Sequence, residues 1–156
     1  MKTESALNVL TLEQKSNYLN YGYLGLKGLV SKDWLQRLKK VTDEFIEESR
    51  SQTGSDKRFD LEPDHNSEAP RIRRLNSPVD FHEEYWRFAS EGPFADVAED
   101  ILGPDFKFHH SKLNFKWAKG GEEVKWHQDI QFWPHTNYDV ITLGVYLEDV
   151  TEDMAP

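Results

Sequence analysis

The hydrophobic pattern changes its period at Gly103-Pro104, and that change constrains the fold more than any other feature of the chain. Before it, Trp34, Leu38, Val41 and Phe45 recur at helical spacing behind Ser31, a good N-cap, which predicts an amphipathic helix from about Lys32 to Ser49 with its apolar stripe in a core. After it, DFKFHHSKLNFKWA alternates, setting Phe106, Phe108, His110, Lys112 and Asn114 on one strand face. VKWHQDI and DVITLGVYLEDV read as further strands, joined by turns at Lys119-Gly120-Gly121 and from Pro134 to Tyr138. Helices first and antiparallel strands afterwards define an α+β chain with a mainly β core.

The rest of the amino-terminal part fits that division. Thr11-Leu12-Glu13-Gln14 has the form of a capping box and predicts a short helix through about Asn20. YGYLGLKGLV reads as a strand, and Phe81 to Ser90 and Pro93 to Leu102 as two short helices, the second closed by Gly103-Pro104. Residues 50 to 70 are polar and punctuated by Gly, Pro and Ser, so they read as a long loop, a length often used for lids. At 156 residues the chain fits one domain, 1–156, with a helical part over about 1–104 and the strands over about 105–156.

Charge and composition narrow the partners. The formal net charge of -9 leaves no basic face for a nucleic acid, and the cluster Arg71, Arg73 and Arg74 is local. No apolar run in the sequence has the length of a membrane span or the form of a signal peptide, so the expected setting is the cytoplasm and the expected partner a small molecule. Zero cysteines exclude disulfides, thiolate metal sites and a cysteine nucleophile. Oligomeric state has no sequence signal here.

Chemistry concentrates in VKWHQDIQFWPH, residues 124–135. On a strand, His127 and Asp129 project from one face, which sets an imidazole nitrogen beside a carboxylate oxygen as two adjacent ligands of one metal. Such a pair with one further histidine is the facial triad of non-haem iron(II), with three positions left open. By itself the tripeptide is a weak signal, because most His-x-Asp sequences bind no metal.

Three longer stretches give it context: YGYLGLKGLVSKDWLQRL, HHSKLNFKWAKGGEEVKWHQD and LGVYLEDVTEDMAP. Together they resemble the phytanoyl-CoA dioxygenase family of iron(II)- and 2-oxoglutarate-dependent oxygenases, over most of the chain. The resemblance implies a double-stranded β-helix, or jelly roll, buttressed by amino-terminal helices. It further implies an Fe(II) site with His127 and Asp129 as ligands, 2-oxoglutarate as cosubstrate and O2 as oxidant. The reaction so implied hydroxylates a small organic substrate while 2-oxoglutarate is decarboxylated to succinate. Related halogenases carry a small residue in place of the carboxylate, so Asp129 implies a hydroxylase.

By position, the resemblance implies 2-oxoglutarate contacts from Asn114, Lys112 and Arg74, with Arg73 as the alternative register. An outward, solvated strand face is the competing reading for Lys112 and Asn114, and a surface role for the arginines. Trp133 takes a place that lines the substrate pocket in relatives, with His110 and His135 as further candidates. His109 should point away from His110, His65 and His82 read as surface residues, and Trp126 and Phe132 as core packing.

The family's pattern also calls for a distal histidine and a further basic residue beyond the stretch that begins near Thr151, and Asp105 to Pro156 holds room for about four or five strands where a jelly roll has eight. The expectation is therefore the amino-terminal part of a longer oxygenase, incomplete at its carboxyl end, with the activity of this part alone left open. Two other classes stay open: a noncatalytic jelly-roll module that binds a small molecule without a complete triad, and a cupin-like metalloenzyme that does not use 2-oxoglutarate.

Overall fold

The computed structural model describes residues 6–118, 125–133 and 136–154. Its first helix, α1 (Leu12–Tyr21), begins with the expected capping box: Gln14 N–H donates to Thr11 Oγ1 at 3.1 Å, and Thr11 N–H donates to Gln14 Oε1 at 2.8 Å. It ends at Gly22, whose φ of 78° is the left-handed conformation that glycine adopts without a Cβ penalty. The expected strand over YGYLGLKGLV is absent. Leu24 and Leu26 are half-buried and alternate with exposed neighbours, but a turn at Lys27-Gly28 interrupts the stretch, and among the described residues no other strand pairs with it in a ladder.

Helix α2 (Lys32–Ser49) has the predicted bounds, with Ser31 Oγ accepting from Trp34 N–H at 3.3 Å. Its stripe of Leu38, Val41 and Phe45 forms the centre of the core with Phe59, Ile72, Leu75, Tyr85 and Phe88. Each such side chain removed from water contributes roughly 1.5–3 kcal/mol before the entropy of ordering it is counted. The Tyr85 hydroxyl shares a hydrogen bond with Thr42 Oγ1 at 2.6 Å, and burial pushes the phenol up to about 12 although that bond opposes the shift.

The segment read as a loop contains a strand. β1 (Phe59–Leu61) pairs antiparallel with β2 (Ile72–Asn76), and Phe59 is fully buried. The turn between them is held at several points: His65 Nε2 donates to Ser49 O, His65 Nδ1 accepts from Arg71 N–H, and Arg50 reaches the carbonyls of Ser67 and Glu68. A stretch so tied is poorly suited to act as a lid, and His65 has a structural role, not a plain surface one.

The predicted helix over Phe81 to Ser90 is broken in two, α3 (Pro78–Phe81) and α4 (Glu83–Glu91). His82 stands between them with extended backbone, and its Nδ1 accepts from Glu84 N–H at 3.1 Å. Helix α5 (Pro93–Leu102) follows at once across Gly92, where a Cβ would fall 2.4 Å from Phe88 O, so only glycine permits the turn. From α5, Asp100 reaches back to the start of the chain and accepts from the amides of Asn8 (2.6 Å), Val9 (2.9 Å) and Leu10 (2.8 Å). Burial pushes its carboxyl up, but these three amides and nearby Lys15 outweigh burial and hold it below the usual carboxylate range.

Beyond Pro104 the strand forecast holds only in part. β3 (Lys112–Asn114) is short and pairs antiparallel with β2, completing a three-stranded sheet in the order β1-β2-β3. Residues 125–128 are irregular, and Asp129–Phe132 forms a 3-10 turn in place of the expected strand; a second such turn spans Glu152–Met154. Residues 141–147 alternate half-buried and exposed, and Val145 and Leu147 pack on the core, yet the segment belongs to no ladder. Alternation reports which face is covered; a strand also needs a neighbour's amides and carbonyls, and among the described residues 141–147 has none. The second sheet of a jelly roll is likewise absent among the described residues. The expected Lys119-Gly120-Gly121 turn, and Pro134 with His135, lie outside the described residues. No helix among the described residues is long and apolar enough to cross a membrane.

Candidate metal centre

A bulge in β2 shapes the face opposite the core. Asp60 pairs with Arg74 and Leu61 with Ile72, so Arg73 is an extra residue in the register. Ile72 and Leu75 both stay buried, and Arg73 and Arg74 both leave the core side. Arg73 is held by Asp60, with Nη2 at 2.7 Å from Oδ1 and Nε at 3.1 Å from Oδ2. Arg74 Nε donates to Asn114 Oδ1 at 3.0 Å across the β2–β3 pair. The two arginines and Asn114 line a cleft of about 480 Å³ that His127 also lines. The alternatives Arg73 and Arg74 are thus neighbours, and they differ in that Arg73 already has a carboxylate.

His127 and Asp129 meet although the backbone between them is irregular. His127 Nε2 lies 3.2 Å from Asp129 Oδ1. The other ring nitrogen, Nδ1, lies 2.6 Å from the Lys125 carbonyl, which can only accept, so Nδ1 carries a proton. With Nδ1 turned to that carbonyl, Nε2 is the ring nitrogen presented to the carboxylate oxygen. Two donors at cis positions on a metal with bonds of about 2.1 Å stand about 3 Å apart. The observed spacing and the carbonyl-fixed tautomer fit a metal ligand pair.

The remaining contacts order the carboxylate. Oδ2 accepts from Thr142 Oγ1 at 3.0 Å, and Lys112 Nζ lies 3.3 Å from Oδ1. Burial pushes the Asp129 carboxyl up, but the Thr142 hydroxyl, the charge and hydrogen bond of Lys112 and the contact with His127 outweigh it and hold the group below the usual carboxylate range. Lys112 therefore faces the site and not open solvent, while Asn114 is exposed and bonded to Arg74. Thr142 has no sequence signal, since a period-2 pattern says nothing of a partner thirteen residues away. Among the described residues no third histidine or carboxylate stands within metal-holding reach of the pair.

The candidates for the substrate wall lie beside this centre. Trp133 packs its ring 4.1 Å, centroid to centroid, from His110 and has Lys112 Nζ 5.9 Å over its face. It lines a smaller depression with Ile130, Thr136, Asn137 and Tyr138, separate from the cleft of His127. His109 does not point away from His110: the two Nδ1 atoms are 2.7 Å apart, because residues 105–111 are not a regular strand. Trp126 and Phe132 are not core either. Trp126 is fully exposed and Phe132 largely so, and both border the His127 cleft. His135 lies outside the described residues.

A family profile described as phytanoyl-CoA dioxygenase (PhyH) matches residues 18–156. The chain belongs to the phytanoyl-CoA dioxygenase family. Among relatives, a probable alpha-ketoglutarate-dependent hypophosphite dioxygenase of Stutzerimonas stutzeri is 26% identical, covering 90% of this chain and 49% of the relative. Human peroxisomal phytanoyl-CoA dioxygenase is 27% identical over 86% of this chain and 41% of its own length. The crystal structure of EctD from S. alaskensis with bound Fe superposes with a TM-score of 0.67 at 26% identity, covering 80% of this chain and 42% of that one. The chain thus spans about half the length of the family members it matches, or less. The relatives carry the names of dioxygenases, one of them alpha-ketoglutarate-dependent, and the structural neighbour holds iron.

Proposed function

We propose that this chain supplies the metal-bearing part of a non-haem iron(II)- and 2-oxoglutarate-dependent dioxygenase that hydroxylates a small organic substrate. In this reading residues 1–156 belong to one oxygenase domain whose strands form part of a double-stranded β-helix. The observation that carries it is the pairing of His127 Nε2 with Asp129 Oδ1 at 3.2 Å, with the opposite ring nitrogen tied to the Lys125 carbonyl. Iron with 2-oxoglutarate would supply the oxidising power for a C–H hydroxylation, 2-oxoglutarate being decarboxylated to succinate.

The chain's own residues then have distinct tasks. The Lys125 carbonyl holds the imidazole in the tautomer that offers Nε2. Asp129 supplies an anionic oxygen and fills the place that halide would need. Lys112, 3.3 Å from Asp129 Oδ1, and the Arg74–Asn114 pair lend positive charge and donors to the carboxylates of the cosubstrate. Trp133 and His110, packed together with their rings tilted, form an aromatic wall for the substrate. The supports are the family membership, the activities for which the relatives are named and the iron in the structural neighbour.

The test is succinate formation from 2-oxoglutarate under Fe(II) and air, with and without candidate substrates. Turnover lost in both His127→Ala and Asp129→Ala is the expected result. Turnover that survives both substitutions would overturn the assignment, and ligand binding with no succinate formed would favour a noncatalytic binding module.

A further inference from the structure

The two oxygens of Asp129 are sorted by their surroundings. Oδ1 faces His127 Nε2 at 3.2 Å and Lys112 Nζ at 3.3 Å, whereas Oδ2 accepts the Thr142 hydroxyl at 3.0 Å. A carboxylate can rotate about its Cβ–Cγ bond and offer a metal one oxygen or both, and a donor fixed on one oxygen selects the one-oxygen arrangement. Thr142 is well placed for that. It lies on the extended segment 141–147, whose inward side chains Val145 and Leu147 rest on the core, and Glu148 at its end is paired with Lys39 of α2. The hydroxyl is thereby referenced to α2 and the core, independently of the 3-10 turn that carries Asp129.

We propose that Thr142 is a positioning residue of the metal centre: its hydroxyl holds Asp129 Oδ2 so that Oδ1 alone is presented beside His127 Nε2. The proposal rests on the metal reading of His127 and Asp129 given above. Partners of this kind that orient a ligating group typically change metal affinity by roughly ten- to a hundredfold when removed. Thr142 does not contact the metal in this arrangement and acts only through Asp129.

The test is a Co(II) titration of the chain followed by its visible d–d spectrum, which reports both affinity and ligand geometry. Three substitutions are compared: Thr142→Val, which keeps the shape and removes the hydroxyl; Thr142→Ser, which keeps the hydroxyl; and His127→Ala. Thermal unfolding without metal identifies any variant that has lost its fold, and Thr142→Ser keeps the test decisive should Thr142→Val be unstable. The expected result is a dissociation constant raised by roughly ten- to a hundredfold in Thr142→Val, with an altered band shape, and recovery of both in Thr142→Ser. A wild-type spectrum lost in His127→Ala but unchanged in Thr142→Val overturns this inference and leaves the metal centre standing. So does a Thr142→Ser variant with intact fold but weakened binding. Absence of any spectrum that depends on His127 overturns both.

Discussion

Arg74 Nε donates to Asn114 Oδ1 at 3.0 Å, directly across the β2–β3 pair and beside the cleft that His127 lines. The bond ties the long, exposed arginine to a strand position, so the two residues act as one unit toward an anion. Calorimetric titration of 2-oxoglutarate into the Mn(II)-loaded chain should show Arg74→Ala weakening binding roughly tenfold, and Asn114→Ala weakening it less. The double variant should fall short of the sum by about 0.5 kcal/mol or more, up to the whole loss of Asn114→Ala; strict additivity would show that the two act separately.

Lys112 gives a prediction of opposite sign for metal and cosubstrate. Its ammonium stands 3.3 Å from Asp129 Oδ1, the oxygen that a metal would take. Lys112→Met removes a competing cation, so Mn(II) affinity should hold or rise, while 2-oxoglutarate affinity should fall by roughly tenfold. A variant with weaker metal binding and unchanged cosubstrate binding would show that the lysine serves the metal site alone.

Asp100 should govern how the amino-terminal segment responds to acid. It binds three backbone amides, at Asn8, Val9 and Leu10, and its carboxyl lies below the usual range. A depressed acid contributes stability that is present in full above the unfolded value of about 3.9 and is lost as pH falls through the folded value. Asp100→Asn is therefore expected to cost about 1–3 kcal/mol in urea unfolding at pH 7, with the gap to wild type closing as pH falls below about 3.9. A gap independent of pH would contradict the role.

The core makes a contrast between two leucines of the helical part. Leu38 is fully buried in the centre of the apolar cluster, whereas Leu19 on α1 is 67% exposed. Leu38→Ala should lose about 2–5 kcal/mol by denaturant unfolding and Leu19→Ala about 0.5 kcal/mol or less. Similar losses at both sites would mean that α1 is covered in solution.

What was legible in the sequence was whatever is encoded locally. The bounds of α2 and α5 follow from a cap, a stripe and a terminal glycine, all within a few residues of one another. β1 was missed because three residues inside a polar stretch give no periodicity, and the Arg73 bulge because it exists only relative to Asp60 and Leu61 on another strand. The stretch 141–147 shows the converse error: its alternation is real in burial, but pairing depends on a neighbour that a single segment cannot announce. At the site, the His127–Asp129 proximity was readable because two residues at i and i+2 meet in a strand and, here, in an irregular bend as well. The Thr142 contact was not, since thirteen residues and a turn separate it from Asp129.

The assignment of His127 and Asp129 as metal ligands is tested most directly by Mn(II) titration of the isotopically labelled chain, read as paramagnetic broadening of its NMR resonances. Manganese suits nitrogen and carboxylate donors and reports even weak binding by position. Broadening should begin at His127, Asp129 and Thr142 and disappear in His127→Ala. Broadening spread over the acidic surface of a chain with net charge -9, and unchanged in His127→Ala, would show that the pair holds no metal.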